Sequence, residues 1–411
     1  MKHISSIKYP FLRPCLIFLF IIWFASSNAA TSQTKKSNDH GIIPGAWQME
    51  KYLPRLEGQR VAVAGNHTSM VKDVHLVDTL LHYGIHVVKV FSPEHGFRGE
   101  AAAGELVESG YDVDSGLPVI SLYGDNRRPT AEQLNDVDII LFDMQDAGTR
   151  FYTYISTMTY IMEEISTRDI PMIILDRPNP NGHFVDGPLL EPEYSSFVGL
   201  HPVPVVHGMT VGEYALMVSG EGWLHDAAHE ITLTIIPVQN YYRGKPYKLP
   251  VPPSPNLPNM HAVYLYPSLC FFEGTPISVG RGTDMPFQVF GHPDLPEDAY
   301  PFTFTPQSLP AAPNPPQKGK NCHGRDLQSK DLEKLQNTAK INLEYLIDAY
   351  HAYPDKENFF NPFFERLAGT SALREQIQAG YSATEIRHSW QEDVETFKEF
   401  RKPYLIYPEN Q

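Results

Sequence analysis

The residues of this chain best suited to chemistry stand directly behind short apolar runs. Val61–Ala64 is followed by Gly65-Asn66-His67-Thr68-Ser69, and Ile85–Phe91 by Ser92-Pro93-Glu94-His95-Gly96-Phe97-Arg98-Gly99-Glu100. Val137–Phe142 leads into Asp143-Met144-Gln145-Asp146-Ala147-Gly148-Thr149-Arg150, and Met172–Leu175 into Asp176-Arg177-Pro178-Asn179-Pro180-Asn181-Gly182. If the runs are parallel strands, these four segments share one rim, where open α/β sheets bind ligands. Such a density of titrating and hydrogen-bonding groups implies a polar ligand, sugar-like or charged.

Two carboxyl groups suffice for glycoside hydrolysis: one gives a proton to the leaving oxygen, and the other serves water or the anomeric carbon. Glu94 is the candidate proton donor. It follows a strand directly and is held between Pro93 and His95-Gly96, rigid and partly desolvated. His95 is placed to carry protons beside it. The second group stays open among Asp146, Asp176, Glu100 and Glu105. Asn66, His67, Gln145, Asp176 and Asn181 are candidate sugar contacts. Arg98, Arg150 and Arg177 suit a carboxylate, which a guanidinium binds in a planar fork, so an anionic sugar is expected. The competing reading has them pairing with neighbouring acids to hold loops. Asn256, Asn259, Glu273 and Arg281 read as the opposite wall of a cleft. Tyr152, Tyr154, Tyr264 and Phe287 read as stacking platforms or core.

Other chemistries find less support. No HxH or HExxH spacing points to a metal, no GxGxxG follows the first strand, and no cofactor is expected. Ser69 near His67 is the pair that an esterase or amidase would use, but no GxSxG elbow carries it. A non-catalytic exported sugar-binding protein is the third reading.

These groups need a scaffold to hold them. Short apolar strands alternate with helical stretches. Thr130 with Gln133 and Thr210 with Glu213 are capping boxes, and Tyr154–Ile165 is apolar at helical spacing. The pattern predicts a doubly wound α/β sandwich with a parallel sheet over residues 43–240, after a flexible lead-in at 31–42. Leu249–Met260 is too proline-rich for helix or central strand, so a boundary is expected near residue 240. A smaller α+β domain is expected over 241–411. It has a surface loop at Pro306–Lys320, a long helix at Asp331–Tyr350, and helices at Ser371–Gln378 and Thr384–Glu399.

The first thirty of the 411 residues have the order of a signal peptide. Lys2, Lys8 and Arg13 precede the apolar run Cys15–Phe24, and small and polar residues follow. The run is about half the roughly twenty residues a membrane span needs. Export is expected, to the periplasm rather than the medium, with no stable membrane insertion afterwards. Cleavage would remove three bases and no acids, taking the formal charge from −15 to −18. That excess of acids disfavours nucleic acid as a partner. Cys270 and Cys322 would remain; one disulfide is conceivable, but a buried thiol at Cys270 fits its apolar neighbours better.

Seven motifs in order carry a family resemblance: GNHTSM at Gly65, FSPEHGFRGEAAAGE at Phe91, DMQDAGTRFYTYISTM at Asp143, LDRPNPNG at Leu175, HGMTVGEYA at His207, VPPSPNLPNM at Val251 and LYPSLCFFEGTPISVGRGT at Leu265. The chain resembles the exo-β-N-acetylmuramidases, glycoside hydrolase family 171, over roughly residues 43 to 407. The resemblance implies a Rossmann-like N-terminal domain, with the active site between it and a smaller C-terminal domain. It further implies release of terminal β-linked N-acetylmuramic acid from peptidoglycan fragments. It points to the glutamate of SPEHG, Glu94, as the catalytic acid.

Overall fold

The apolar runs pair side by side, as short β-branched segments do when buried on both faces. In the computed structural model they form β1 (Val61–Gly65), β4 (Val87–Ser92), β6 (Pro118–Ser121), β7 (Ile139–Asp143) and β8 (Met172–Leu175). The two-residue β2 (Met70–Val71) and β3 (Val74–His75) form a small hairpin. Residues 41–94, 96–98, 109–224 and 231–409 are described, and Gly41–Gln411 form one compact unit. Two further strands, β5 (Gly110–Tyr111) and β11 (Leu233–Ile236), complete a seven-stranded sheet. Its order is β11-β8-β7-β1-β4-β6-β5, parallel throughout except for edge strand β5. The chain steps outward one way through β1, β4 and β6, then the other way through β7, β8 and β11. The order is therefore Rossmann-like, and it reverses between β1 and β7.

Side chains alternate between the two faces of each strand. Val61 and Val63 of β1, Ile139 and Leu141 of β7, and Ile173 and Leu175 of β8 face one core, with α1 (Met49–Leu56) and α2 (Leu76–His82). Ala62, Ala64, Ile140, Phe142, Met172 and Ile174 face the other and larger core. That core is shared with α4 (Tyr154–Ser166), α5 (Val211–Gly220) and α6 (Met260–Leu269). Both expected capping boxes form, at α3 (Ala131–Leu134) and α5.

The second half adds an antiparallel sheet of β12 (Val289–His292), β14 (Cys322–Asp326) and β13 (Phe302–Phe304), in that order. Six helices follow: α7 (Leu332–Asn337), α8 (Glu344–Ala352), α9 (Pro362–Ala368), α10 (Ala372–Gln378), α11 (Ala383–Ser389) and α12 (Gln391–Phe400). Two expected helices are each divided. The span Asp331–Tyr350 breaks between α7 and α8, where Ala339 takes a positive φ of 48°. Thr384–Glu399 breaks at Trp390, whose indole Nε1 donates to Asp186 Oδ1 at 3.0 Å. Asp186 opens β9 (Asp186–Leu189), which pairs with β10 (Pro204–Val206). A tertiary hydrogen bond thus outweighs helix continuity. Cys270 and Cys322 are both buried, unlinked thiols.

Candidate active site

Glu94 owes its place to a turn. Gly96 N donates to Pro93 O at 3.2 Å, and Gly96 adopts φ 74°, a conformation that glycine tolerates at little cost. The turn leaves β4 beside β6, because Leu122 N donates to Ser92 O at 2.7 Å. Tyr123 therefore stands next to Glu94, and its hydroxyl hydrogen-bonds the carboxylate. Burial, then the charge of Glu94, pushes the Tyr123 phenol well above its usual range. Thr153, just before α4, places its hydroxyl 3.5 Å from Glu94 Oε2.

Glu94 lines a cavity of about 880 Å³. Its N-terminal wall comes from Tyr123, Arg127, Thr153 and Tyr154, and from Ser196 and Phe197 in the loop between β9 and β10. The second half of the chain contributes Asn256, Glu273, Arg281 and Phe287, Ala311–Pro316, and Arg366 of α9. Of the residues expected on an opposite wall, Asn256, Glu273 and Arg281 line the cavity. Tyr152, Tyr154 and Phe287 line the cavity, whereas Tyr264 does not. The proline-rich loop, expected as plain surface at Pro306–Lys320, supplies part of this lining. His95, Glu100 and Glu105 lie outside the described residues.

The other nominated residues do not reach the cavity, and each is occupied elsewhere. The rim at the β1–β7 reversal is filled by protein. Asn66 is buried, its Oδ1 accepting from Thr68 N at 2.9 Å and from the Thr68 hydroxyl at 2.6 Å. His67 Nε2 meets Pro252 O at 2.9 Å. Gln145 Nε2 donates to the carbonyls of Asp146 and Pro178, both at 2.9 Å. Asn181 Nδ2 donates to Ala147 O and Val263 O. Asn259 caps α6, accepting from Ala262 N at 3.0 Å. Asp176 is fully buried, accepting from the hydroxyls of Thr210 (2.7 Å) and Tyr407 (2.6 Å) and from Gly212 N (2.9 Å). Asp146 is 3 % exposed and receives Gly148 N at 2.6 Å. Burial pushes its carboxyl up to about 7 and that of Asp176 to about 6.

The three arginines expected to meet an anionic sugar also hold structure. Arg98 pairs with Asp112 at 2.7 Å and Asp78 at 3.2 Å. Arg177 pairs with Asp143 inside the rim, with Nη2 2.8 Å from Oδ2. Arg150 is wholly buried and has no acidic partner among the described residues. Its guanidinium donates to the carbonyls of Pro188, Val203, Leu367 and Ala368 at 2.6–3.0 Å, and burial pushes it down to about 9. The guanidinium groups that do line the cavity are Arg127, Arg281 and Arg366. Tyr123 and Arg127 follow β6, a strand end not among the four nominated, where the same rule would have found them. Arg366 lies on a helix far along the chain and carries no such mark.

The serine-hydrolase reading loses its nucleophile. Ser69 is fully buried, its hydroxyl donating to Asp143 O and accepting from Asn66 N. Among the described residues, no group of three or more His, Cys, Asp or Glu side chains is placed to hold a metal ion.

Fold and cavity together define an α/β protein of Rossmann-like strand order. Its cavity lies off the strand-order reversal and is lined in part by the C-terminal half. Residues 61–261 match the N-terminal model, and residues 264–407 the C-terminal model, of the exo-β-N-acetylmuramidase NamZ family. The chain belongs to that family. The peptidoglycan β-N-acetylmuramidase NamZ of Bacillus subtilis (strain 168) is 39% identical over 418 residues, spanning 95% of this chain and 99% of that protein. Two crystal structures of DUF1343-family proteins from Bacteroides fragilis share the fold. One is 49% identical with a TM-score of 0.84, covering 90% of this chain and all of that one. The other is 28% identical with a TM-score of 0.76, covering 89% and 99%.

Proposed function

We propose that this chain is an exo-acting glycosidase that releases terminal β-linked N-acetylmuramic acid from peptidoglycan fragments. The observation that carries the reading is Glu94. The glutamate of the SPEHG motif opens onto a cavity whose size falls within the roughly 300–1,000 Å³ of small-ligand sites, with phenolic, aromatic and guanidinium groups around it. Glu94 gives its proton to the glycosidic oxygen. With Arg98 and Arg150 committed to structure, the lactyl carboxylate of muramic acid falls to Arg127 or Arg366.

Incubation with muramyl–glucosamine disaccharide is expected to yield both free sugars, and intact disaccharide would end the proposal. Glu94→Gln is expected to lower turnover by about 10²–10⁴-fold with an unchanged melting temperature. A pair of chromogenic substrates with and without the lactyl group checks specificity, and equal turnover of the two contradicts it.

The arrangement of residues 1–30 supports export to the periplasm, with cleavage of that segment. Among the described residues no helix is long and apolar enough to cross a membrane. N-terminal sequencing of protein from a periplasmic fraction tests the proposal; recovery of Met1 there contradicts cleavage.

A further inference from the structure

We propose that Glu273 is the second carboxylate of the reaction: it faces the anomeric centre across the cavity from Glu94 and stabilises the positive charge that appears there. The proposal rests on the glycosidase reading above.

Among the described residues, Glu94 and Glu273 are the carboxylates that line the cavity. They come from opposite halves of the chain, Glu94 from the turn after β4 and Glu273 from the short 3-10 helix Cys270–Gly274. Of the acids that strand ends nominated for this role, Asp146 and Asp176 are buried outside it, and Glu100 and Glu105 lie outside the described residues. The placement of Glu273 is rigid. Nε and Nη2 of Arg281 both approach its Oε1 at 2.7 Å, and the guanidinium is backed by the Phe287 ring, 5.1 Å from its centroid. Oε2 has the buried Cys270 Sγ at 3.5 Å. The side chain stays 24% exposed. One oxygen is therefore anchored while the carboxylate remains accessible from the cavity.

The step needs such a group. Glu94 transfers its proton to the glycosidic oxygen, and the electron pair of the C1–O bond leaves with the departing alcohol. The cation left on C1 and the ring oxygen faces the carboxylate of Glu273. A fixed anion stabilises that charge without having to reorganise as it forms. Water then adds to C1 and returns a proton to Glu94, so one water is consumed and Glu273 ends unchanged.

The test compares wild type, Glu94→Gln, Glu273→Gln and Glu273→Asp on muramyl–glucosamine disaccharide and on dinitrophenyl β-muramide, whose leaving group needs no proton. Glu273→Gln is expected to lower kcat on the order of 10³-fold on both substrates, with KM within a few-fold. Glu94→Gln should recover most of its loss on the dinitrophenyl substrate. Glu273→Asp keeps the charge but withdraws it by one methylene, and serves if the glutamine variant fails to fold. A loss on the order of 10²-fold is expected from it. If either Glu273 variant keeps kcat within tenfold of wild type on the dinitrophenyl substrate, or loses only in KM, the assignment is overturned. A wild-type enzyme inactive on both substrates overturns the glycosidase reading instead.

Discussion

Asp146 carries a carboxyl group into the interior with no ion-pair partner among the described residues. Its Oδ2 accepts from Gly148 N, while Oδ1 has no hydrogen-bond partner among the described residues. Desolvation is the first cause of its elevation to about 7. The native protein then binds more protons than the unfolded chain between about pH 4 and pH 7, so this group's contribution to stability falls as pH rises through that window. The slope is at most about 1.4 kcal/mol per pH unit. Asp146→Asn removes the titration. Urea midpoints at pH 4, 5.5 and 7 should show the variant gaining on wild type as pH rises, and a constant difference would contradict this. Because Asp146 does not line the cavity, the folded variant should keep its turnover. His207 acts with the opposite sign. Burial, then Arg401, Arg150 and Arg243, push its imidazole down to about 3, so its contribution is complete above about pH 6.5 and is lost as pH falls toward 3.

The 3-10 helix that bears Glu273 is set by how closely it meets α9. A Cβ added at Gly274 would stand 2.4 Å from Phe364 Cα, closer than backbone atoms permit. Gly274→Ala must therefore push the two elements apart, at a cost of about 1–3 kcal/mol. The element on one side carries Glu273, and α9 carries Arg366, so kcat and KM are both expected to worsen. Calorimetry with steady-state kinetics checks this, and unchanged values for both would show that the contact is slack. At α5, the Thr210 hydroxyl accepts from Glu213 N at 3.3 Å and donates to Asp176. Thr210→Ala removes a cap and a partner of a buried acid together. A loss of about 2 kcal/mol is expected from the urea midpoint at pH 7.

Across the whole molecule, a few buried arginines tie the two halves together. Arg150 reaches from the end of the β7 loop to the carbonyls of Leu367 and Ala368 in α9. Arg243 meets Glu213, with Nη2 2.7 Å from Oε1, and Arg401 donates to His207 O and Gly208 O. Tyr407, near the C-terminus, returns to Asp176 at the end of β8. Arg150→Met removes a donor from four carbonyls, of which Val203 O keeps Leu190 N, and should cost about 3 kcal/mol. Since the contacts cross between halves, the two should still unfold together. Trp47 reports on the first half, and Trp390 on the second where it meets Asp186 of the first. Fluorescence of single-tryptophan variants retaining one or the other should give coincident midpoints, and separated transitions would contradict the coupling.

Continuous apolar runs made most of the sheet legible, because a strand buried on both faces has to be apolar along its length; β1, β4, β7 and β8 were readable in this way, and so was the half-buried β6, whereas β5 and β11 were not. The capping boxes at Thr130 and Thr210 were equally legible, since their chemistry lies within four residues of chain. The division at Trp390 and the fragmenting of Asp331–Tyr350 were not, because a distant carboxylate and a left-handed residue set them. The same limit governed the site. Glu94 was identifiable from a motif and a strand end. The rim's other acids and arginines looked the same in sequence, yet a polar residue behind a strand serves equally to satisfy a buried backbone or to meet a ligand. By itself, the sequence determined five of the sheet's seven strands and the family resemblance, and it nominated Glu94, all from local pattern. Only the tertiary structure decided that Glu273, Arg281 and Arg366 share its cavity while Arg150 and Asp146 do not, because burial and distance depend on how remote segments pack.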